Sequence, residues 1–157
     1  MLNVSDRSHL TLTLSLIVLT WIILWHVPAM AVEEINKTYF VVAINGYDTV
    51  AYFTEDRAIK GNRNISHIWN DAKWYFASEQ NRNLFAADPE KYAPQYGGHC
   101  AAALSAGKVA GVNPENFKII DGKLYLAANK GVDIFAKQPG TIIKKADSSW
   151  AQRMDNK

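Results

Sequence analysis

A single cysteine, Cys100, lies in the segment YGGHCAAAL, directly after two glycines and His99. If a helix begins near His99, Cys100 lies in its first turn, where unpaired backbone N–H groups and the helix dipole favour a thiolate. Thiolates bind soft metals and attack disulfides or peroxides. The alternative is that Cys100 packs as a small apolar residue beside the alanines that follow it. The residue types leave both interpretations open.

Two histidines are candidate partners of this thiol. His99 and Cys100 can bind one ion only if the chain between them is non-helical, because adjacent helical side chains point about 100° apart. His67 lies on a predicted hairpin, where it can form a cysteine–histidine pair that binds metal or activates the thiolate. Both histidines also fit positions without chemistry, one at a helix start and one on a hairpin.

The N-terminal 31 residues predict export. A polar start with Arg7 precedes the uncharged run LTLTLSLIVLTWIILW (10–25), and Pro28 and the small-residue pattern AMA follow. This pattern is typical of a signal peptide cleaved after Ala31, which places the mature protein in the bacterial periplasm or outside the cell. The alternative is an uncleaved inner-membrane anchor. Two tryptophans suit a membrane interface, although the run is shorter than the ~20 residues of a membrane span.

The rest of the chain is long enough for one compact domain. Its formal net charge is +2, with both signs interspersed, and this balance excludes the electrostatic pattern of a nucleic-acid-binding protein. The sequence contains no G-x-S-x-G, H-E-x-x-H or C-x-x-C motif and no phosphate-binding glycine loop. A membrane contact is therefore expected only through residues 10–25, if they are not removed.

A repeat with a period of about 50 residues predicts an α+β fold. DAKWYFASEQNRNLFAADP (71–89) aligns with DGKLYLAANKGVDIFAKQP (121–139). In each copy, two apolar runs joined at Asn-Asp or Asp-Gly predict a hairpin. A helix follows, with Ser78 or Asn129 as its predicted N-cap. We expect both hairpin–helix units to pack in one small domain around the Gly-Gly-His-Cys turn and its short helix.

The flanking segments complete the predicted organisation. Residues 32–44 are expected to form an N-terminal strand or linker, and 45–150 the main domain. Asp88 and Pro89 predict the start of a short helix, and Gly107 the end of the alanine-rich helix. Trp150 is expected to dock on the domain before a frayed tail over 151–157.

The motifs of the main domain resemble those of the YHS domain family. WYFASEQNRNLFAADPEKY matches the family's Tyr-Phe-x-Ser start and its Phe-x-x-Asp-Pro-x-x-Tyr helix end. GYDTVAYF, YGGHCA and DGKLYL are similar to motifs of an exported subgroup. The resemblance implies a metal-associated module, but alanine, serine and polar residues stand where the family has its usual cysteines. Cys100 lies outside that pattern, and selenoproteins in the subgroup imply redox chemistry or soft-metal ligation at its position.

Three functions follow as hypotheses. The first is an exported module that binds copper or zinc, anchored on Cys100 and assisted by His67 or His99. The second is a single-cysteine redox protein whose thiolate attacks a peroxide or disulfide and is resolved by a thiol partner protein. The third is an interaction domain with a structural cysteine. Converging ligands would favour the first, an exposed thiol the second, and a fully buried thiol the third.

Overall fold

The computed structural model describes residues 34–38 and 41–156, so the predicted signal peptide lies outside the described residues. Within them, no helix is long and apolar enough to cross a membrane. The strands are β1 Asn62–Trp69, β2 Ala72–Phe76, β3 Asn113–Ile120 and β4 Lys123–Ala127. The helices are α1 Ala51–Thr54, α2 Glu79–Ala87, α3 Pro89–Tyr92, α4 Ala101–Ser105, α5 Val132–Lys137 and α6 Pro139–Asp155.

The predicted α+β class and both predicted hairpins are confirmed. β1 pairs antiparallel with β2, and β3 pairs antiparallel with β4. The two residues of each connecting turn have positive φ, 47° and 54° at Asn70 and Asp71 and 50° and 71° at Asp121 and Gly122. These angles define the type I′ turn, whose twist matches that of the flanking strands.

The two hairpins are displaced by one residue relative to the sequence repeat. Asp71 aligns with Asp121 in the sequence, but Asp71 is the second turn residue and Asp121 is the first. Since side chains alternate along a strand, this shift turns the aligned tyrosines, Tyr75 and Tyr125, to opposite faces of their hairpins. In the structure, Trp74 is therefore the counterpart of Tyr125.

Two apolar clusters form the core. The first contains Trp74 and Phe76 of β2, and the second contains Tyr125 and Phe135. Strand β4 contributes to both clusters, because Leu124 and Leu126 on its other face pack in the first. The second hairpin is thus covered on both faces, which explains why four successive residues of β4 are buried.

Of the two predicted N-caps, Ser78 is confirmed and Asn129 is wrong. The Ser78 hydroxyl accepts a hydrogen bond from the backbone N–H of Asn81 at 3.1 Å, which caps α2 as predicted. Asn129 does not cap α5, whose N-cap is Gly131. Its side-chain oxygen instead accepts hydrogen bonds from the amides of Asn113 and Asn116, at 2.8 and 2.9 Å. A turn at residues 129–131 separates β4 from α5 and displaces Asn129 from the helix start.

Both short-helix boundaries follow their sequence signals. Asp88 caps α3, its carboxylate accepting the Lys91 N–H at 3.2 Å. After α4, Gly107 has a φ of +71°. Its N–H donates to the Leu104 carbonyl at 2.8 Å, as in a glycine-terminated helix.

The flanking segments pack against the domain. Helix α6 continues to Asp155, so most of the segment 151–157, expected from the sequence to fray, is helical in the structure. Its last turn is held where the Arg153 guanidinium donates to the Gly107 carbonyl. At the other end, Ile35 and Ile44 are buried in the first cluster, and Val42 and Ala43 form isolated bridges instead of a strand.

Candidate functional site

Two turns with the same backbone conformation lie ahead of the two hairpins. Residues 44–46, the first turn, have φ values of 47°, 53° and 76°. Residues 96–98, the second turn, have φ values of 57°, 59° and 80°. Each is followed by an extended residue, Tyr47 or His99, and then by a residue whose side chain accepts a backbone hydrogen bond, Asp48 or Cys100. Three successive left-handed residues are uncommon, and for a β-branched residue such as Ile44 the conformation is strained.

Asp48 follows the first turn and is completely buried. One carboxylate oxygen accepts the N–H groups of Val50 and Ala51, at 2.9 and 3.3 Å. The other accepts the N–H of Ala77 at 2.8 Å and the side-chain amide of Asn81 at 2.7 Å. These four bonds tie the start of α1 to the end of β2 and the start of α2. Such a network satisfies a buried carboxylate without a cation.

Cys100 occupies the corresponding place after the second turn. Its Sγ accepts the backbone N–H of Ala128 at 3.2 Å, and Ala128 directly follows β4 as Ala77 directly follows β2. Cys100 is the N-cap of α4, but its side chain makes no capping hydrogen bond. The thiol therefore serves as an internal acceptor that joins α4 to the end of the second hairpin.

The thiol is enclosed by its neighbours. Cys100 is 1% exposed, and a Cβ added at Gly131 would lie 3.1 Å from its Sγ. The Cys100 thiol is thus packed closely against Gly131 and the backbone N–H of Ala128. Of the three expectations set out for Cys100, this burial fits the structural cysteine.

The structure separates the two candidate histidines. His99 and Cys100 both have extended backbones, so their side chains point to opposite sides of the chain. His99 is buried with its ring 5.9 Å from the Trp150 ring, and His67 packs against Phe85 at 6.1 Å. Across residues 34–38 and 41–156, no group of three His, Cys, Asp or Glu side chains lies close enough to hold a metal ion.

A segment of the chain covers the second turn. The N–H and the side-chain amide of Asn36 donate to the carbonyls of Gly97 and Gly98, at 2.7 and 3.0 Å. A Cβ at Gly97 would overlap the carbonyl oxygen of Glu34. Glycine at this position is therefore required for the close approach of residues 34–36.

The first turn is open where the second is covered. A groove of about 590 Å³ lies beside it, bordered by Asn45, Gly46, the start of the first hairpin and Tyr75. The glycines bring these segments together, since a Cβ at Gly61 would lie 2.5 Å from the Tyr75 carbonyl carbon. The groove therefore exists because, within residues 34–38 and 41–156, no second layer packs on the Tyr75 face of β2.

Among the described residues, two basic side chains and no acidic ones line this groove. The Lys60 ammonium donates to the Asn45 carbonyl at 2.6 Å and lies 4.4 Å from the centre of the Tyr47 ring. Arg63 is exposed, and in the described part of the chain the ion pairs of arginine are formed by Arg57 and Arg82 instead. The groove thus combines an apolar wall with one fixed and one available positive charge.

Sequence reasoning missed this groove because its parts are separated along the chain. The segment KGNRN (60–64) reads only as a polar approach to the first hairpin. Lys60 and Arg63 around the start of β1, in the hairpin whose second strand carries Tyr75, were the available signal, but the fold was needed to bring them to the first turn. Comparison with known proteins adds no assignment: no family model, curated protein or solved structure matches this chain.

Proposed function

We propose that this protein is an interaction domain that binds a ligand in the groove beside the first turn, with Cys100 as a structural residue. The groove itself is the observation that carries the proposal. Its volume of about 590 Å³ lies within the range of roughly 300–1,000 Å³ that is usual for small-molecule sites. Its apolar wall and few polar groups also match the composition of such sites.

The wall of the groove is pre-formed. The N–H of Gly61 donates to the Gly46 carbonyl at 2.9 Å, which fixes the hairpin start against the first turn. Asp48 holds the following helix and the end of β2 through its four hydrogen bonds. A site held by rigid elements loses less conformational entropy when a ligand binds.

Amide NMR of the full-length protein with mixtures of small fragments tests this proposal. We expect the largest chemical-shift changes at Gly46 and Gly61, whose amides border the groove. Gly107 and Gly122 have open space around them and serve as controls. Changes confined to the controls, or no changes with any fragment, would contradict binding at the groove.

The metal and redox functions indicated by the sequence stay predictions. Both use Cys100, which is 1% exposed and whose sulfur already accepts a backbone hydrogen bond. Native mass spectrometry with Cu(I) and Zn(II), run beside Cys100→Ser, tests the metal module. Labelling of the native protein with iodoacetamide tests the reactive thiol, because a structural cysteine is alkylated only after unfolding.

We also propose export, with residues 1–31 removed and the domain released into the periplasm. The basis is the signal-peptide pattern and the small residues before position 32. The YHS resemblance likewise stays a prediction. N-terminal sequencing of the protein recovered from a periplasmic extract is expected to begin at Val32, and recovery of the intact chain in the membrane fraction would favour the anchor.

A further inference from the structure

We propose that the ligand of the groove is a small carboxylate with an apolar body. This inference rests on the binding function proposed above and specifies its chemistry. The walls formed by Val42, Gly46 and the Tyr75 ring offer contacts to an apolar group. The positive charges of Lys60 and Arg63 lie at the same groove, and no acidic residue of the described part of the chain lines it. An amphiphilic anion satisfies both features at once.

Lys60 and Arg63 can contribute to carboxylate binding in different ways. An ammonium has three donors, and one donor of Lys60 is used by the Asn45 carbonyl. This bond fixes the charge at the edge of the first turn and leaves two donors for a ligand. Arg63 forms no ion pair with the described residues, so its planar guanidinium can meet both oxygens of a carboxylate.

The backbone of the groove favours a carboxylate over a phosphate. Phosphate sites commonly use several backbone N–H groups from glycine-rich turns. Here the Gly46 N–H donates to the Ala43 carbonyl and the Gly61 N–H donates to the Gly46 carbonyl, at 2.8 and 2.9 Å. Neither glycine N–H is available, so the anion depends on the two side chains, which suit a single negative charge.

A comparison of the two turns favours a small molecule over a chain segment. The second turn is covered by residues 34–36 because Gly97 has no side chain in their path. The first turn has Asn45 at the equivalent position, and its side chain lines the groove. A peptide crossing the first turn in the same way would meet that side chain, whereas a small ligand can lie beside it.

Octanoate and its neutral analogue octanamide are suitable probes. We expect octanoate to shift the Gly46 and Gly61 amides of the full-length protein and to bind at least about tenfold more tightly than octanamide. Lys60→Met and Arg63→Gln should each weaken octanoate about tenfold, because each removes a charge-assisted hydrogen bond. Lys118→Gln, an exposed lysine on β3 that does not line the groove, is the matched control.

The outcomes separate this inference from the function beneath it. Equal affinity for octanamide, or unchanged affinity in Arg63→Gln, would overturn the carboxylate while leaving binding at the groove intact. Competition by inorganic phosphate at a concentration similar to that of octanoate would overturn the choice of anion. If neither probe nor any fragment shifts Gly46 and Gly61, both the ligand class and the proposed function fail.

Discussion

The two hairpin–helix units follow one backbone plan but differ in what covers their hairpins. In the first unit, Trp74 and Phe76 face the first cluster, while Tyr75 on the opposite face borders the groove. In the second unit, Tyr125 faces the second cluster, and Leu124 and Leu126 on the opposite face are also buried. The second hairpin is thus buried on both faces, whereas among the described residues the Tyr75 face of the first hairpin has no covering layer. The open face of a repeated fold is where a ligand site can form.

The acceptors after the two turns show a second difference. A carboxylate at Asp48 receives four hydrogen bonds, and the thiol of Cys100 receives one, from Ala128. A charged acceptor forms stronger bonds than sulfur, which is a weak acceptor. Each turn is followed by a buried hydrogen-bond acceptor, and a thiol is sufficient after the second turn because it receives only one backbone N–H.

The largest effect is expected from truncating the aligned phenylalanines. Phe85 packs against Trp74 and Phe76 with ring centres at 4.9 and 5.1 Å. Phe135, among the described residues, has one aromatic ring contact, with Tyr125 at 5.8 Å. We expect Phe85→Ala to lower the free energy of unfolding by about 5 kcal/mol and Phe135→Ala by about 3 kcal/mol. Denaturant titration measures both, and equal losses would show that the clusters contribute alike.

Substituting each of the two acceptors, Asp48 and Cys100, should give the next largest difference in the free energy of unfolding. In Asp48→Asn, an NH₂ group faces donors such as the Ala77 N–H, which lowers the free energy of unfolding by about 2–3 kcal/mol. Cys100→Ser keeps an oxygen acceptor for Ala128 and should cost about 1 kcal/mol. The same denaturant titration compares them. A larger loss in Cys100→Ser than in Asp48→Asn would mean that the thiol has a role beyond accepting one hydrogen bond.

An alanine at the middle residue should disturb the covered turn and not the open one. Gly97→Ala places a Cβ against the Glu34 carbonyl at a φ of +59°, which we expect to cost about 2 kcal/mol. It should also speed hydrogen exchange at the Asn36 amide, whose bond to Gly97 is displaced. Asn45→Ala in the open turn is the control and should leave the Asn36 amide protected. Unchanged exchange in Gly97→Ala would mean that the segment is held elsewhere.

Each cluster contains a tyrosine that should make stability fall at alkaline pH. Burial, with the charges of Tyr47, Asp48 and Glu115, raises the pKa of Tyr52 above its usual 10.0. Burial and the 2.8 Å hydrogen bond that Tyr96 donates to Asp147 raise the pKa of Tyr96.

Both folded-state pKa values are raised, so the stability contributed by keeping Tyr52 and Tyr96 neutral is fully present below pH ~10. It is lost as the pH rises toward the folded-state pKa values. Above pH ~10 each tyrosine should reduce the free energy of unfolding by about 1.4 kcal/mol per pH unit. Denaturation at successive pH values should show a smaller slope in Tyr52→Phe and in Tyr96→Phe. An unchanged slope in either variant would contradict a raised pKa in that cluster.

The smallest effect is a gain in stability. Among the described residues, the buried hydroxyl of Thr49 has no hydrogen-bond partner, whereas Ala101, at the same place after the second turn, has no hydroxyl to satisfy. Thr49→Val should raise the free energy of unfolding by about 1 kcal/mol. Thr54→Val is the control, because the Thr54 hydroxyl donates to the Val50 carbonyl at 3.2 Å. Thermal denaturation should raise the melting temperature only in Thr49→Val.

Local signals in the sequence predicted much of this fold. Asn-Asp and Asp-Gly between apolar runs gave both hairpins, because only a few residue types accept the positive φ of a type I′ turn. Ser78, Asp88 and Gly107 marked helix ends through bonds that each residue makes with its own neighbours in the chain. Asn129 failed as a cap because its side chain is used by Asn113 and Asn116, a contact that sequence spacing does not encode.

The sequence by itself determined the α+β class, the repeat and the presence of one thiol beside two glycines. It did not determine the face on which each strand residue lies, since a shift of one residue reverses every side chain. Only the tertiary structure turned Tyr75 to the groove and Tyr125 to the core, enclosed Cys100 and brought Lys60 and Arg63 to the first turn. These outcomes depend on packing between distant segments, which long-range burial decides and local residue preferences do not.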